Sequence, residues 1–291
     1  MKKIGIHGRA INEASRESVG GLLNLLRRRD YKPLISESFA DHNNEFFQLD
    51  DLSIYGDHLD SNDVDCIFSL GGDGTLLEAV THVGSSETPI LGINTGRLGF
   101  LATTNKDDFN EALSAIENDR FKLENRSLVE LKCDQDLFGG KNFALNEFAI
   151  LRKETSSMIT IECYLNGDYL STYWADGLMV STPTGSTGYS LSCGGPVLLP
   201  STKNFILTPV SPHNLNVRPF VIADNGHLRF KMDSRETNVL VSLDSRSETV
   251  PHDLELTISK ADFTIKLIKL EGDSFVDTLR TKLGWGYDKR N

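Results

Sequence analysis

The chain, 291 residues long, predicts an α/β fold followed by an all-β fold, and three observations carry that reading. Strand-like and helix-like segments alternate as far as about Leu123; beyond it the chain breaks into strand-like pieces separated by turn residues; the last stretch returns to helical spacing. Apolar strands alternating with amphipathic helices make a mainly parallel sheet, because each crossover helix must bury its apolar stripe on that sheet. Short strand runs joined by tight turns make antiparallel sheets instead. The expected organisation is a Rossmann-like parallel-sheet domain over residues 1–125, a β-sandwich-like domain over 126–270 and a C-terminal helix over 271–291 packed on the first domain.

Taken in order, IGIHG is a short apolar run, and VGGLLNLLRRR has leucines at helical spacing. It ends in Arg27, Arg28 and Arg29, where cations suit the negative end of a helix dipole. VDCIFSLGG and PILGIN read as buried strands, and DDFNEALSAIEN as an amphipathic helix. In the second half, LNGDYL holds the Asn-Gly-Asp turn of a hairpin, and FTIKLIKL places Phe263, Ile265 and Leu267 on one face. Near the end, Phe275, Leu279 and Leu283 recur at i, i+4 and i+8, followed by Trp285.

Composition narrows the function. No apolar run approaches the ~18 residues of a membrane span, and the start, MKKIGIHGR, goes straight into a strand pattern, so a cytoplasmic location is expected. Cys66, Cys133, Cys163 and Cys193 form no C-x-x-C pair, which indicates neither a zinc site nor a disulfide framework. A formal net charge of −11 argues against nucleic acid or an anionic membrane as partner, because both need a concentrated basic face. An anionic ligand must be held by local groups: backbone N–H donors, a few arginines or a metal ion.

The stretch FSLGGDGTLLEAV, Phe68 to Val80, offers such groups. Gly71, Gly72 and Gly74 surround Asp73 between a strand run ending at Leu70 and a helix pattern in which Leu76, Leu77, Val80 and Val83 share a face, with Thr75 the expected cap. Free N–H groups and the positive dipole end attract phosphate there, and glycines let a phosphate or ribose reach the main chain. A carboxylate repels phosphate, so Asp73 is tolerable if it binds Mg²⁺ or accepts a proton, both roles in phosphoryl transfer. After the next strand, LGINTGRLGFLA repeats the theme with Gly92, Gly96, Gly99 and the cation of Arg97. LNEFAI sets the polar pair Asn146 and Glu147 inside an apolar strand, and ADGLMVSTPTGSTGYSLSCGGP packs hydroxyls, glycines and Asp176 into a loop after a strand.

GGDGT resembles the signature shared by NAD kinases, diacylglycerol and sphingosine lipid kinases and, in a related form, phosphofructokinases. The other three stretches resemble NAD kinases in order and spacing, and with SPHNLNVRPFVI and FVDTLRTKLGW the resemblance covers nearly the whole chain. It implies transfer of the ATP γ-phosphoryl group to the 2′-hydroxyl of the adenosine ribose of NAD, giving NADP, with Mg²⁺ accompanying ATP rather than fixed by protein ligands. Asp73 is then the general base. Gly74, Leu77, Phe100, Asn146, Glu147, Asp176, Thr184, Thr187, Gly188 and Tyr189 are expected around NAD, and Gly71, Gly72, Gly96, Arg97 and Gly99 around the phosphates of ATP. Trp174, His213, Asp244 and Ser245 are further candidates; Trp174 stands where some bacterial relatives carry arginine and others a small or polar residue. The resemblance also implies a homodimer or homotetramer. Two rival readings are a lipid kinase of the diacylglycerol kinase type built on the same turn, and a non-catalytic sensor that binds NAD(P).

Overall fold

The computed structural model describes residues 3–56, 58–60, 62–96, 98–153 and 158–286. The chain divides into two compact units, Met1–Asn125 with Ile265–Asn291, and Arg126–Thr264.

The first unit is built on an eight-stranded sheet. Its strands run in the order Ser53–Tyr55, Lys32–Ser36, Lys3–Gly8, Cys66–Gly71, Ile90–Asn94, Ile265–Leu270 and Phe121–Arg126, with Thr104–Asn105 paired to Ile90–Asn94 beside that path. The pairings from Ser53–Tyr55 across to Ile265–Leu270 are parallel. Cys66–Gly71 is buried along its whole length, as a strand covered on both faces must be. Helix Glu13–Arg28 buries Val19, Leu22, Leu23 and Leu26, and Phe109–Glu117 buries Phe109, Ala112, Leu113 and Ile116. The chain begins in the middle of the sheet and adds strands first to one side of Lys3–Gly8, then to the other with Cys66–Gly71. The order therefore reverses between those two strands, and the crevice outside their carboxyl ends is where open α/β sheets bind ligands.

Three sequence expectations are corrected here. The strand Ile265–Leu270 lies in the parallel sheet, not in the β domain to which residues up to 270 were assigned, and the second unit ends at Thr264. Consecutive burial of Leu267 and Ile268 explains this: both faces of the strand are covered, whereas the single face read from Phe263, Ile265 and Leu267 suggested a half-exposed one. Helix Asp73–Val83 is capped by Gly72 rather than Thr75, which lies in the first turn, and Leu77 is half-exposed while Leu76, Ala79, Val80 and Val83 make the buried face. In the C-terminal helix Phe275–Leu283, capped by the Ser274 hydroxyl, Leu279 is the buried residue and Phe275 and Leu283 are half-exposed.

The second unit is a sandwich of two six-stranded sheets. One runs Phe220–Ala223, Asn204–Val210, Gly177–Ser181, Glu147–Leu151, Asn238–Leu243, Arg246–Pro251; the other runs Asp168–Ala175, Ile159–Leu165, Leu228–Asp233, Leu256–Lys260, Val129–Lys132, Phe143–Ala144. All their pairings are antiparallel. Phe148, Val180, Phe205 and Val241 of the first sheet meet Ile161, Phe230 and Ile258 of the second in one core. The rings of Phe148 and Phe230 stack with centroids 6.0 Å apart, and each such fully buried side chain stabilises the sandwich by roughly 1.5–3 kcal/mol. The hairpin read from LNGDYL turns through Asn166 and Gly167 at φ 53° and 93°, the left-handed pair that matches strand twist. Among the described residues no helix is long and apolar enough to cross a membrane.

Candidate functional site

At the switch point the first unit presents Gly71, Gly72 and Asp73 from the end of strand Cys66–Gly71, and Gly8 and Arg9 from the end of Lys3–Gly8. Gly71 must lack a side chain, since an added Cβ would lie 2.2 Å from Thr75 Oγ1. The Asp73 carboxylate does not float free. Its Oδ2 accepts the Phe100 N–H at 2.8 Å, and its Oδ1 accepts those of Leu101 at 3.0 Å and Ala102 at 3.1 Å. Three consecutive N–H groups make an anion-binding concavity. A Cβ on Gly99 would come 1.9 Å from Asp73 Oδ1, so this glycine is required for the carboxylate to enter. The structure thus brings Gly71, Gly72, Asp73, Gly99 and Phe100 together, with Gly74 and the half-exposed Leu77 on the same helix. Gly96 is exposed and donates its N–H to Asn94 Oδ1 at 2.7 Å. Arg97 lies outside the described residues.

Sequence reasoning missed three polar neighbours. Arg9 Nε donates to Glu78 Oε2 at 2.6 Å, and the buried His7 places Nε2 3.6 Å from the same oxygen. His7 and then Arg9 hold the Glu78 carboxyl at about 2 against its partial burial. The signal was available: Arg9 directly follows a short apolar run ending in glycine, and Glu78 is one and a half turns beyond Asp73 on a helix.

The second unit has its own corner. Asp244, in the left-handed region at φ 54°, accepts N–H groups from Leu145 at 2.9 Å, Asn146 at 2.8 Å and Glu147 at 3.1 Å, and returns its own N–H to the Glu147 carbonyl at 2.9 Å. Burial pushes the Asp244 carboxyl up, and the three N–H donors act against that. Arg246, two residues on, donates to the carbonyls of Lys141 and Phe143, so one turn grips both ends of the segment that carries Asn146 and Glu147. Exposed Ser245 sits between them.

Burial first, and the negative Asp244 second, push Glu147 up to about 8. The backbone N–H of Tyr189 supports the carboxylate, yet Glu147 Oε2 has no accessible surface and no partner among the described residues. Gly188 borders that oxygen: a Cβ there would be 3.1 Å away. The STPTGSTGY segment folds as a short 3-10 turn, Thr184–Thr187, against the same corner. Gly185 is obligatory because a Cβ would strike the Asn146 carbonyl at 2.1 Å. Thr184 turns inward, its hydroxyl accepting from Arg126 at 3.3 Å, and the Thr187 hydroxyl donates to the Thr184 carbonyl at 3.2 Å. Tyr189 is exposed, and its phenol is raised by burial, Cys193, Asp176 and Glu147, which places Asp176 in this neighbourhood. Asp176 Oδ1 also pairs with Arg152 Nε at 3.1 Å.

Trp174 and His213 lie side by side at the end of strand Asp168–Ala175. The His213 N–H bonds the Trp174 carbonyl at 2.7 Å, and the Trp174 N–H bonds Asn214 Oδ1 at 2.7 Å. Trp174 lines an open groove of about 540 Å³ with Tyr169, Arg218 and Phe220.

A parallel sheet with a glycine–aspartate turn at its switch point, and a β-sandwich with an Asn–Glu corner, define a phosphotransferase of the nucleotide-binding class. Residues 16–121 match the ATP-NAD kinase N-terminal domain and residues 145–270 its C-terminal domain. The NAD kinase of Cytophaga hutchinsonii is 47% identical, over 98% of this chain and 99% of that protein, and the NAD kinase of Bacteroides fragilis is 42% identical over 99% of each. In fold, the chain is similar to yeast NADH kinase complexed with NADH, at a TM-score of 0.85 and 22% identity over 99% of this chain and 89% of the other. It is also similar to an NAD kinase from Archaeoglobus fulgidus in complex with ATP, at 0.70 and 24% over 97% of each. The chain belongs to the NAD kinase family, and NAD kinase is the activity it carries.

Proposed function

We propose that Asp73 is the general base of this reaction: it orients the 2′-hydroxyl of the adenosine ribose of NAD and accepts its proton as ATP gives up its γ-phosphoryl group. A bond forms between the ribose oxygen and the γ-phosphorus, the bond from that phosphorus to the β,γ-bridging oxygen breaks, and ADP leaves; the proton passes to the carboxylate. The observation that carries this reading is the hold on Asp73. Three backbone N–H groups fix both its oxygens at the switch-point end of a strand, and with about four lone-pair sites on a carboxylate one is left for a hydroxyl. A base so placed contributes about 10²–10⁴-fold, and alignment of the two substrates supplies much of the rest.

NAD and ATP enter this reading from the relatives, one complexed with NADH and one with ATP. Gly71, Gly72, Gly96, Arg97 and Gly99 are assigned to the phosphates of ATP, and Gly74, Leu77 and Phe100 to NAD. Asn146 and Glu147 hydrogen-bond dinucleotide hydroxyls. Asp176, Thr184, Thr187, Gly188 and Tyr189 line the base and ribose, Thr184 through its place in the turn rather than through its inward hydroxyl. Mg²⁺, when bound, neutralises phosphate charge. It is proposed to accompany ATP, where it would offset the charge of the transferring phosphoryl group. A cytoplasmic location is proposed: Cys66, Cys133, Cys163 and Cys193 are outside any disulfide, as suits a compartment where thiols stay reduced. A homodimer or homotetramer is proposed from the family resemblance.

The test couples NAD, ATP and Mg²⁺ to an NADP-specific dehydrogenase. Asp73→Asn should lower kcat by about two orders of magnitude or more while NAD affinity stays within a few-fold. Normal turnover in that variant removes Asp73 from the role.

A further inference from the structure

The C-terminal motif FVDTLRTKLGW takes no part in the chemistry above, yet its surroundings in the first unit are specific. Lys282, on helix Phe275–Leu283, donates from Nζ to the Leu98 carbonyl at 2.5 Å, and the same ammonium lies 5.7 Å from the centre of the Phe100 ring. Lys269, on strand Ile265–Leu270, reaches the Leu101 carbonyl at 3.5 Å and the Thr103 hydroxyl at 3.1 Å. That hydroxyl donates in turn to Asp273 Oδ2 at 3.0 Å. Three side chains from 269–282 therefore hold 98–103, the segment whose N–H groups at Phe100, Leu101 and Ala102 receive the Asp73 carboxylate.

We infer that the C-terminal segment is a brace for the catalytic carboxylate, with Lys282, Lys269 and Asp273 as positioning residues that fix the glycine-bearing loop and, through its amides, the direction of Asp73. The inference rests on the assignment of Asp73 as base.

The physical need is clear from the loop. Gly99 gives the segment wide conformational freedom, which one internal bond, from the Gly99 N–H to the Ala102 carbonyl at 3.3 Å, narrows. Gly99 cannot be stiffened by a side chain, because a Cβ would occupy the space of Asp73 Oδ1. The rest of its order must come from outside. The Lys282 bond fixes the carbonyl two residues before Phe100, its charge faces the Phe100 ring, and Lys269 fixes the carbonyl of Leu101 between two of the donating amides. Rotating the Leu101 peptide would swing the Ala102 N–H away from the carboxylate, and rotating the Leu98 peptide would break the bond from the Gly99 N–H to the Ala102 carbonyl that closes the loop. Misplacing a reacting group by about 1 Å can cost on the order of 10²-fold in rate, and one loosened contact out of three should cost less.

The experiment is a double-mutant cycle on the full chain, read as kcat and as KM for NAD. Lys282 is exposed, so Lys282→Met should fold with an unchanged melting temperature. In the parent background it should lower kcat about tenfold with KM for NAD within about twofold, and Lys282→Arg should restore kcat to within about twofold. In the Asp73→Asn background the same Lys282→Met change should alter kcat by less than about twofold, because there is no base left to aim. Unchanged kcat in Lys282→Met, or an equal fold-loss in both backgrounds, overturns the brace. Parent-like turnover of Asp73→Asn by itself strikes the assignment of the base, and the two failures are read from different arms of the cycle.

Discussion

Asp73 in the first unit and Asp244 in the second each gather three consecutive backbone N–H groups, those of 100–102 and of 145–147, but their surroundings differ. Asp73 is half-exposed in the first turn of a helix, beside the open crevice of the parallel sheet. Asp244 is half-exposed as a residue too, yet burial raises its carboxyl, and its own backbone N–H donates to the Glu147 carbonyl of the strand it grips. Water can replace a carboxylate at an open concavity; at a closed one the amides would be stranded, at about 1–3 kcal/mol each. The same device thus holds the proposed base in one unit and the Asn146–Glu147 corner in the other.

Alanine at the two positions should separate these uses most widely. Asp73→Ala should lower kcat by two orders of magnitude or more with stability changed by less than about 1 kcal/mol, whereas Asp244→Ala should cost about 2–4 kcal/mol in denaturant unfolding. Equal stability losses would erase the distinction.

A sharper form uses the glycine that admits each contact. Gly99→Ala drives a Cβ against the Asp73 side chain, which can rotate away, so kcat should fall about tenfold or more with little change in melting temperature. Gly185→Ala drives a Cβ against the Asn146 carbonyl, which cannot move alone, and should destabilise by about 1–3 kcal/mol.

Acidity gives a third, smaller effect. Glu147, raised to about 8, keeps a proton in the folded chain that the unfolded chain releases above its ordinary 4.5. Stability should therefore decline as pH rises from about 4.5 to about 8 and level off above that. Glu147→Gln should remove part of this slope, so its gain in melting temperature over the parent should be largest near pH 8. A gain independent of pH would show that Glu147 does not carry the proton. The least effect is expected at the half-exposed Leu77, where Leu77→Ala should raise KM for NAD a few-fold and leave the fold intact.

Much of this was legible in the chain. Cys66 to Leu70, mostly apolar and followed by two glycines, announces a buried strand, and Asp73 is conspicuous because glycines surround it. What stayed hidden depends on distant partners. Nothing local to Asp244 says that its carboxylate meets the amides of residues 145–147, nearly a hundred positions earlier. The alternation of Ile265 and Leu267 suits either kind of sheet; only the neighbour, Ile90, decides. Thr75 has the chemistry of a cap but stands three residues too late, because the helix opens at the glycine–aspartate step itself.

The late strand Ile265–Leu270 also dictates a timetable for synthesis. The nascent sheet lies open beside Ile90–Asn94 while the ribosome makes the intervening sandwich, on the order of 10 s at about 5–20 residues per second. The sandwich, Arg126–Thr264, is wholly translated first and free to fold as a unit. The parallel sheet is therefore completed only after the sandwich has been made.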